Sequence, residues 1–444
     1  MCRKRGRIVL VGVTGLDLSR DDFYKKELSF QVSCSYGPGR YDPAYEDKGQ
    51  DYPIAFVRWT AQRNFEAVLD LLADGRLDVK PLVTHRFPFD QAEKAYALLL
   101  SDEPYLGILL EYPTEGESPS EELTQKTIRV MPSRPPTRAP VVNVIGAGGY
   151  ATKTLLPAFQ RTEIRFRTIA SRGGLTAAHA ARKFGFENAS TDVEETVSDS
   201  EADVLVIATH HDSHARYVCD ALRAGKHVFV EKPLALCENE MAEIESLYRS
   251  LACPPLLMVG FNRRFAPQIV KAKELLTGLR GPKALVYTVN AGAIPPEHWT
   301  QDPSVGGGRI LGEACHFIDL LRHLAGSPIT SIETAKLTGD TVTITLKFAD
   351  ASIGSVHYFA NGHRSVPKER LEVFCGGRIL QIDNFRRLKA YGWRGFSKMN
   401  LWRQDKGAER AISAFVNTVR SGGPAPIPFE ELCEVTRATL AAAR

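Results

Sequence analysis

Two short motifs bring together residues that could hold a dinucleotide and exchange a proton. Gly146-Ala-Gly-Gly-Tyr-Ala151 follows an apolar run, and Glu231-Lys232-Pro233 follows a second apolar run further along the chain. Glycines at a strand-to-helix turn let the backbone approach a pyrophosphate, whose charge then meets amide N–H groups and the positive end of a helix dipole. A lysine at the end of a neighbouring strand can exchange the proton of a hydroxyl whose carbon loses hydride. The two motifs therefore predict chemistry on a nicotinamide dinucleotide.

The elements that must position these motifs are predicted from the spacing of apolar residues. From residue 141 to 262, short apolar runs alternate with helix-like stretches such as Leu175–Phe184, which predicts a doubly wound parallel sheet of the Rossmann α/β type. From residue 263 to 444, segments such as Thr341–Phe348 alternate polar and apolar residues. This alternation predicts an α+β domain with a large antiparallel sheet that has one wet face.

Two further segments precede the dinucleotide motif. Residues 1–112 combine apolar strands with a Gly/Pro/Tyr-rich stretch and a helical pattern near Asn64–Ala73 that Gly75 would end. Residues 113–140 are rich in Pro, Ser, Glu and Arg, which predicts a linker.

Charge and composition exclude several classes of function. The 444 residues include 56 basic and 52 acidic ones, and no basic block could follow a phosphate backbone, so a nucleic-acid partner is not expected. The 8 cysteines are dispersed without metal-ligand spacing, which predicts no structural metal and a reducing compartment. No apolar run approaches the roughly 18 residues of a membrane span. A cytoplasmic location, where the dinucleotide is found, is expected.

Residues 141–444 resemble the Gfo/Idh/MocA oxidoreductases. The resemblance rests on the glycine turn and on three later motifs: Ala224-Gly-Lys-His-Val-Phe-Val-Glu-Lys-Pro233, Gly260-Phe-Asn-Arg-Arg-Phe-Ala-Pro267 and Gly306-Gly-Gly-Arg-Ile-Leu-Gly-Glu-Ala-Cys-His-Phe-Ile-Asp319. It implies NAD or NADP in the Rossmann domain and a sugar, cyclitol or similar polyol on the open face of the antiparallel sheet. A homo-oligomer assembled through that sheet is expected as well.

The resemblance assigns the catalytic roles to two of these motifs. Lys232 corresponds to the lysine that hydrogen-bonds the reacting oxygen, and His316 to the histidine that relays its proton. The structural alternatives are a surface lysine after a strand and a core histidine. Many members have an aspartate four residues before the histidine, where this chain has Gly312 followed by Glu313. Either Glu313 orients His316 or a sugar hydroxyl as a helical neighbour, or the third catalytic group is absent.

The residues that distinguish NAD from NADP are expected about twenty residues after the glycines. An acid there would bind the ribose 2′-hydroxyl of NAD, whereas this chain has Ser171-Arg172, whose hydroxyl and guanidinium suit a 2′-phosphate. The pattern favours NADP, with NAD as the alternative. The residues expected to bind the cofactor are Gly146, Gly148, Gly149, Tyr150, Ala151, Ser171, Arg172, Thr209, His214, Glu231 and Lys232.

A further set of residues is expected to contact the substrate, next to the nicotinamide. An indole face supports a sugar ring and a guanidinium suits a carboxylate or diphosphate, although both side chains are also frequent at subunit interfaces. Asp319 is expected either to support the histidine or to cap packing against the sheet. The substrate-side residues are Lys232, Arg263, Arg264, His298, Trp299, His316 and Asp319.

Residues 1–112 resemble a different family, the C-terminal part of zinc-type alcohol dehydrogenases, which are medium-chain reductases. Gly6-Arg-Ile-Val-Leu-Val-Gly12 resembles a late strand of that family's cofactor sheet, and Pro81-Leu-Val-Thr-His-Arg-Phe-Pro-Phe-Asp-Gln-Ala-Glu-Lys-Ala-Tyr96 resembles its C-terminal return. The order matches a bi-domain oxidoreductase of polysaccharide gene clusters that lacks its N-terminal part. The segment is therefore expected to be catalytically empty and to hold no zinc.

The sequence as a whole predicts an NAD(P)-dependent oxidoreductase that transfers hydride between the cofactor and a secondary hydroxyl or carbonyl of a sugar or sugar derivative. Polysaccharide or sugar-nucleotide metabolism is the expected setting. Two alternatives remain. One is a dinucleotide-binding regulator without turnover, which Gly312 favours and Lys232 and His316 oppose; the other is an inactive fragment.

Overall fold

The chain divides into two structural units, Met1–Thr124 and Gln125–Arg444. The computed structural model describes residues 2–112, 125–132 and 138–444. Most of the predicted linker, residues 113–124 and 133–137, lies outside the described residues.

The first unit contains two separate pairs of parallel strands. Strand β1 (Arg7–Leu10) pairs with β2 (Ser29–Val32), and β3 (Val83–Pro88) pairs with β4 (Gly107–Glu111). Its helices are α1 (Arg20–Tyr24), α2 (Pro43–Glu46), α3 (Ala61–Ala73) and α4 (Ala92–Leu99). The helix predicted to end before Gly75 is α3. Among the described residues of this unit, the buried apolar side chains are Ala95 and Leu98.

The first half of the second unit is a doubly wound sheet of 7 strands. Along the chain these are β5 (Thr127–Arg129), β6 (Val141–Ile145), β7 (Arg165–Ala170), β8 (Asn188–Ser190), β9 (Val204–Ile207), β10 (His227–Val230) and β11 (Leu257–Val259). Their order across the sheet is β11-β10-β9-β6-β7-β8-β5, and every pair is parallel except β5 with β8. The parallel strands are buried on both faces, which is why they appear in the sequence as continuous apolar runs.

Strand β5 corrects the expectation that residues 113–140 form only a linker. Thr127 to Arg129 pair antiparallel with Ser190 to Asn188, and Thr127 Oγ1 lies 2.8 Å from Ser190 Oγ. A sheet edge presents unpaired backbone N–H and C=O groups, and this short polar segment satisfies those of β8.

The helices of the first half cover the two faces of the parallel sheet. They are α5 (Leu156–Gln160), α6 (Leu175–Phe184), α7 (Val193–Ser198), α8 (His214–Arg223) and α9 (Glu238–Ser250). The helix predicted after the glycine turn begins as a π-helical turn, Ala151–Leu155, before it continues as α5. Helix α6 has the bounds predicted from the sequence.

The second half of this unit is built on a sheet of 8 strands in the order β13-β14-β15-β12-β16-β17-β18-β19. The strands are β12 (Ala284–Asn290), β13 (Ile329–Thr338), β14 (Thr341–Phe348), β15 (Ile353–Phe359), β16 (Glu369–Cys375), β17 (Arg378–Asp383), β18 (Arg387–Tyr391) and β19 (Lys398–Asn400). The predicted antiparallel sheet is confirmed, with the addition that β12 and β15 run parallel. Alternate residues such as Val342, Ile344 and Leu346 are buried, as the sequence pattern predicts.

Four helices pack against the buried face of this sheet and against the Rossmann half. They are α10 (Pro267–Thr277), α11 (Cys315–Ala325), α12 (Ala408–Ser421) and α13 (Phe429–Ala443). A π-helical turn, Ile310–Ala314, precedes α11 and brings that helix to the end of the parallel sheet. Among the described residues, no helix is both long and apolar enough to cross a membrane.

Candidate active site

A cavity of about 1200 Å³ lies between the carboxyl ends of the parallel strands and the second half of the same unit. The strand ends of a doubly wound sheet form such a crevice because the chain reverses direction there. The structure brings together in its lining these residues predicted from the sequence: Gly146, Gly148, Gly149, Tyr150, Ala151, Ser171, Arg172, Thr209, His214, Glu231, Lys232, Arg263, His298, Trp299, Glu313 and His316.

The glycine turn after β6 is shaped by a close approach to the end of β9. Gly146 has φ +98°, and a Cβ atom there would lie 2.3 Å from the carbonyl oxygen of Ala208, so only glycine fits. Gly148 and Gly149 have open space where their side chains would be. The turn therefore leaves exposed backbone beside the cavity, which is the shape that a pyrophosphate requires.

The end of β7 carries the two residues expected at the ribose. Ser171 Oγ lies 2.8 Å from Thr176 Oγ1. Arg172 is exposed and makes no hydrogen bond or ion pair with any residue that the structure describes. Its guanidinium is therefore available to an anionic ligand.

Lys232 joins the two halves of the unit. It lies just beyond the end of β10, after Glu231, and its Nζ donates a hydrogen bond to the carbonyl oxygen of Gly312, 2.7 Å away, in the π-helical turn before α11. The backbone of the next residue, Pro233, is held by His214, whose Nδ1 donates to the Pro233 carbonyl oxygen at 2.7 Å. Burial lowers the pKa of His214 to about 4, so its ring is neutral. His214, which was expected to contact the cofactor, lines the cavity and holds the backbone next to Lys232 in place.

His316 is buried at the start of α11 and borders the cavity. Its Nδ1 has no hydrogen-bond partner among the described residues. Burial, reinforced by the positive charges of Arg263 and Lys232, holds the pKa of His316 well below its usual value. The imidazole is therefore neutral, and its unpartnered nitrogen can accept a hydrogen bond.

Glu313 makes no hydrogen bond to His316 among the described residues, so of the roles expected for it the orientation of that histidine is not seen, and contact with a sugar hydroxyl stays a prediction. The carboxylate instead accepts hydrogen bonds from Lys368 Nζ and from Tyr358 Oη (2.5 Å), and it lies 3.4 Å from Arg309. The π-helical turn at Ile310–Ala314 alters the angular spacing, so residues three apart no longer share a face as in an α-helix. Burial opposes the charged form, yet Lys368, Tyr358 and Lys232 together keep the pKa of Glu313 below its usual value.

The arginines of the third motif are both buried, but only one reaches the cavity. Arg263 lines it and donates to Glu369 through Nε (2.8 Å) and Nη2 (3.0 Å). Arg264 instead pairs with Asp319, with Nε 2.9 Å from Oδ1. Asp319 is fully buried there and does not line the cavity, so the expectation that it binds substrate does not hold. The Arg264–Asp319 pair supports the core.

His211 is a lining residue that the sequence analysis missed. Its Nδ1 donates to the carbonyl oxygen of Gly306 at 2.8 Å, so the lone pair of the neutral ring is on Nε2. Burial lowers the pKa of His211 to about 3. A Cβ atom at Gly312 would lie 2.9 Å from His211 Cε1, so the imidazole occupies the space that a side chain at 312 would need. His211 lies in the short segment between β9 and α8, at the end of the parallel sheet, and this position is the sequence feature that could have identified it.

Trp299 packs against this histidine segment. Its ring stacks on His210 at a centroid distance of 4.5 Å and meets the edge of His211 at 4.8 Å. Because His210 occupies one indole face, only the other face is available to a sugar ring.

Comparisons with known proteins agree with this architecture. Residues 141–261 match the oxidoreductase family with the NAD-binding Rossmann fold, GFO/IDH/MocA, and residues 277–378 match the GFO/IDH/MocA C-terminal domain. The two matches together span half of the chain.

Several individual proteins with similar sequences are named as dehydrogenases. A myo-inositol 2-dehydrogenase from Thermotoga maritima is 28% identical over 272 residues, which is 56% of this chain and 79% of that protein. A levoglucosan dehydrogenase from Pseudarthrobacter phenanthrenivorans is 32% identical over 170 residues, 36% of this chain and 42% of that protein.

A solved structure of a levoglucosan dehydrogenase in complex with NADH and levoglucosan has the same fold. It superposes with a TM-score of 0.60 at 24% identity and covers 69% of this chain and 97% of its own.

Proposed function

The chain belongs to the GFO/IDH/MocA oxidoreductase family, and from this premise we propose that it transfers hydride between NAD(P) and a secondary hydroxyl or carbonyl of a sugar or sugar derivative. One observation carries the proposal. Lys232 Nζ lies at the carboxyl end of β10, bonded to Gly312 across a cavity that also contains the glycine turn. Relatives named for inositol and levoglucosan support the substrate class.

The residues around the turn fit a dinucleotide. The open backbone at Gly148 and Gly149 would hold the pyrophosphate, and Ser171 and Arg172 would hold the ribose end. Because Arg172 is exposed and has no described partner, we favour NADP over NAD. The bound dinucleotide supplies the hydride acceptor or donor.

The chain's own residues manage the proton. The Lys232 side chain would hydrogen-bond the reacting oxygen and exchange its proton when the alcohol is oxidised. His316 is neutral with an unpartnered Nδ1, so it can accept a hydrogen bond from that hydroxyl and relay its proton. His211 presents Nε2 as a further acceptor for a substrate hydroxyl.

The experiment is an assay of the purified full chain with NAD and NADP against a panel containing myo-inositol, levoglucosan, D-xylose and the acidic sugar D-glucuronate. We expect reduction of the dinucleotide by at least one polyol or sugar. Dinucleotide binding without turnover on any tested compound would favour the regulator instead.

Several further inferences accompany this function. We infer that residues 1–112 are related to the C-terminal part of medium-chain reductases, on the basis of the β1 and β3 segments and the order of the two units. We also infer cytoplasmic polysaccharide or sugar-nucleotide metabolism as the setting and a homo-oligomer formed through the exposed face of the eight-stranded sheet. Sedimentation of the purified protein tests the oligomer.

A further inference from the structure

The substrate end of the cavity carries more cations than carboxylates. Among the lining residues after position 230, the carboxylates are Glu231 and Glu313, and the cations are Lys232, Arg263, Arg309, Lys368 and Lys406. Burial raises the pKa of Glu231 to about 7, so this carboxyl is only partly ionised near neutrality.

The first pair of cations shares one carboxylate just behind the lining. Glu369 accepts from Arg263 Nε at 2.8 Å and from Lys406 Nζ at 2.6 Å, and also from Tyr287 Oη at 2.6 Å. Burial alone would raise the pKa of Glu369, but Arg263 and Lys406 lower it strongly, so a single negative charge faces two positive ones.

The second pair shares the carboxylate of Glu313. Lys368 Nζ donates a hydrogen bond to this carboxylate, and Arg309 Nη2 lies 3.4 Å from its Oε2. Arg309 Nη1 also lies 3.9 Å from the carboxylate of Asp340. Lys232 hydrogen-bonds only a carbonyl oxygen among its described partners. The cluster as a whole therefore keeps an excess of positive charge.

The surroundings of His316 show the same excess of positive charge. Apart from burial, the groups that lower the pKa of His316 are the four cations Arg263, Lys232, Lys406 and Lys368. Its buried Nδ1 has no partner among the described residues. Uncompensated positive charge and an unpaired polar atom in a buried cavity both cost free energy, which an anionic ligand would offset.

We propose that the substrate is an acidic sugar derivative, whose carboxylate or phosphate is bound by Lys368 and Lys406 while Lys232 and His316 face the reacting carbon. Both ammonium groups have capacity for this, because each has three donors and uses one on a carboxylate. Their side chains remain 37% and 26% exposed, in the cavity lining. The inference rests on the proposed function, since it assumes that the substrate occupies this end of the cavity.

The test compares sugars that differ only in the acidic group. The probes are D-glucose with D-glucuronate, D-galactose with D-galacturonate, and UDP-glucose, whose anion is a diphosphate. Binding to the NADP-loaded full chain is followed by tryptophan fluorescence, which Trp299 in the lining makes sensitive to the site, and turnover is measured separately. We expect an acidic probe to bind at least roughly tenfold tighter than its neutral partner, the scale of one added hydrogen bond to a charged group.

Variants connect that preference to the two lysines. Lys368→Met and Lys406→Met should each reduce the preference roughly tenfold, while Lys347→Met, an ion-paired lysine on β14, should leave it unchanged. If Lys406→Met does not fold, Lys406→Gln keeps a donor for Glu369 and still removes the charge. Tighter binding of the uronates indicates a carboxylate, and tighter binding of UDP-glucose indicates a diphosphate.

The outcomes separate this inference from the proposed function. Selective binding of an acidic probe without turnover would contradict the hydride-transfer function and support the acidic-ligand site. Turnover of neutral sugars with equal or weaker binding of acidic ones would overturn the inference and keep the function. A preference for acidic probes that survives in both lysine variants would also overturn it.

Discussion

The two units of this chain differ most in how much apolar surface they bury. In the second unit both sheets pack against helices, and one continuous core runs from Val142 in β6 to Ala442 in α13. In the described part of the first unit, only Ala95 and Leu98 are buried apolar side chains, while Val11, Val13 and Phe56 are exposed. Parallel strands normally need cover on both faces, and two-stranded pairs are marginal by themselves. The comparison teaches that the second unit contains both the chemistry and the cooperative core.

The largest expected effect is a loss of turnover in variants of the second unit, because we place catalysis there. Lys232→Ala and His316→Ala should each lower kcat by about two to four powers of ten, because each removes one proton-transfer group. Dinucleotide affinity, measured by fluorescence titration, should change little, since the glycine turn and Arg172 hold the cofactor. His85→Ala is the matched control in the first unit. Survival of turnover within a few-fold in Lys232→Ala would move the chemistry elsewhere.

The contrast in packing predicts unequal effects of the same truncation. Leu324→Ala, fully buried in α11, should lower the free energy of unfolding by about 2–5 kcal/mol, because it leaves a cavity in a dense core. Leu98→Ala in α4 should leave the main unfolding transition where it is. Chemical denaturation followed by circular dichroism measures both. Equal losses would mean that the units unfold together.

Cofactor choice tests whether the exposed arginine of the second unit is functional. Arg172→Ala should weaken the binding of NADP by about 1.5–3 kcal/mol, the scale of a hydrogen bond to a charged group, and leave the binding of NAD nearly unchanged. Arg76→Ala in the first unit is the control. Equal losses for both dinucleotides would remove the argument for NADP.

The pH dependence of stability should have opposite signs in the two units. Because burial raises the pKa of Glu231 from 4.5 to about 7, the folded state holds a proton that the unfolded state has lost. Stability therefore falls as the pH rises from about 4.5 to 7, by at most about 3 kcal/mol, and Glu231→Gln should abolish that fall.

In the first unit, hydrogen bonds from Tyr52 and the amide of Ala44 lower the pKa of Asp42, whose contribution is present at neutral pH and lost as the pH falls. Asp42→Asn is the matched variant. Because the Asp42 contribution is lost only below its unfolded pKa of 3.8, denaturation is followed from about pH 2 to 8, which covers both windows, and parallel profiles for both variants and the wild type would contradict the assignment.

The smallest expected effect concerns metal. Among the described residues, no group of three or more His, Cys, Asp or Glu side chains could hold a metal ion. The prediction that residues 1–112 carry no zinc remains to be tested by elemental analysis, and EDTA should leave activity unchanged. One zinc per chain would show that the first unit is not catalytically empty.

Local patterns in the sequence predicted much of this fold. Continuous apolar runs identified the parallel strands, and alternating residues identified β14 and β15, since both periodicities follow from which faces are buried. Strand β5 was missed because its pairing with Asn188–Ser190 is non-local and its composition is polar.

The site was predictable where a motif supplies the residue, and otherwise not. Lys232, His316 and the glycine turn lie in contiguous motifs. Glu313 was misplaced because a π-helical turn cannot be recognised from spacing alone. Lys368 and Lys406 reach the cavity only through tertiary packing of distant segments.

The contact between Gly312 and His211 restricts the order in which this site can change during evolution. A side chain at 312 would meet the imidazole at 2.9 Å, so a substitution there is disfavoured while His211 remains. Either the imidazole moves away from Gly312 or a smaller residue replaces His211 before the backbone that holds Lys232 accepts a new side chain. Lineages that acquire a carboxylate at 312 should therefore show a displaced or substituted residue at 211.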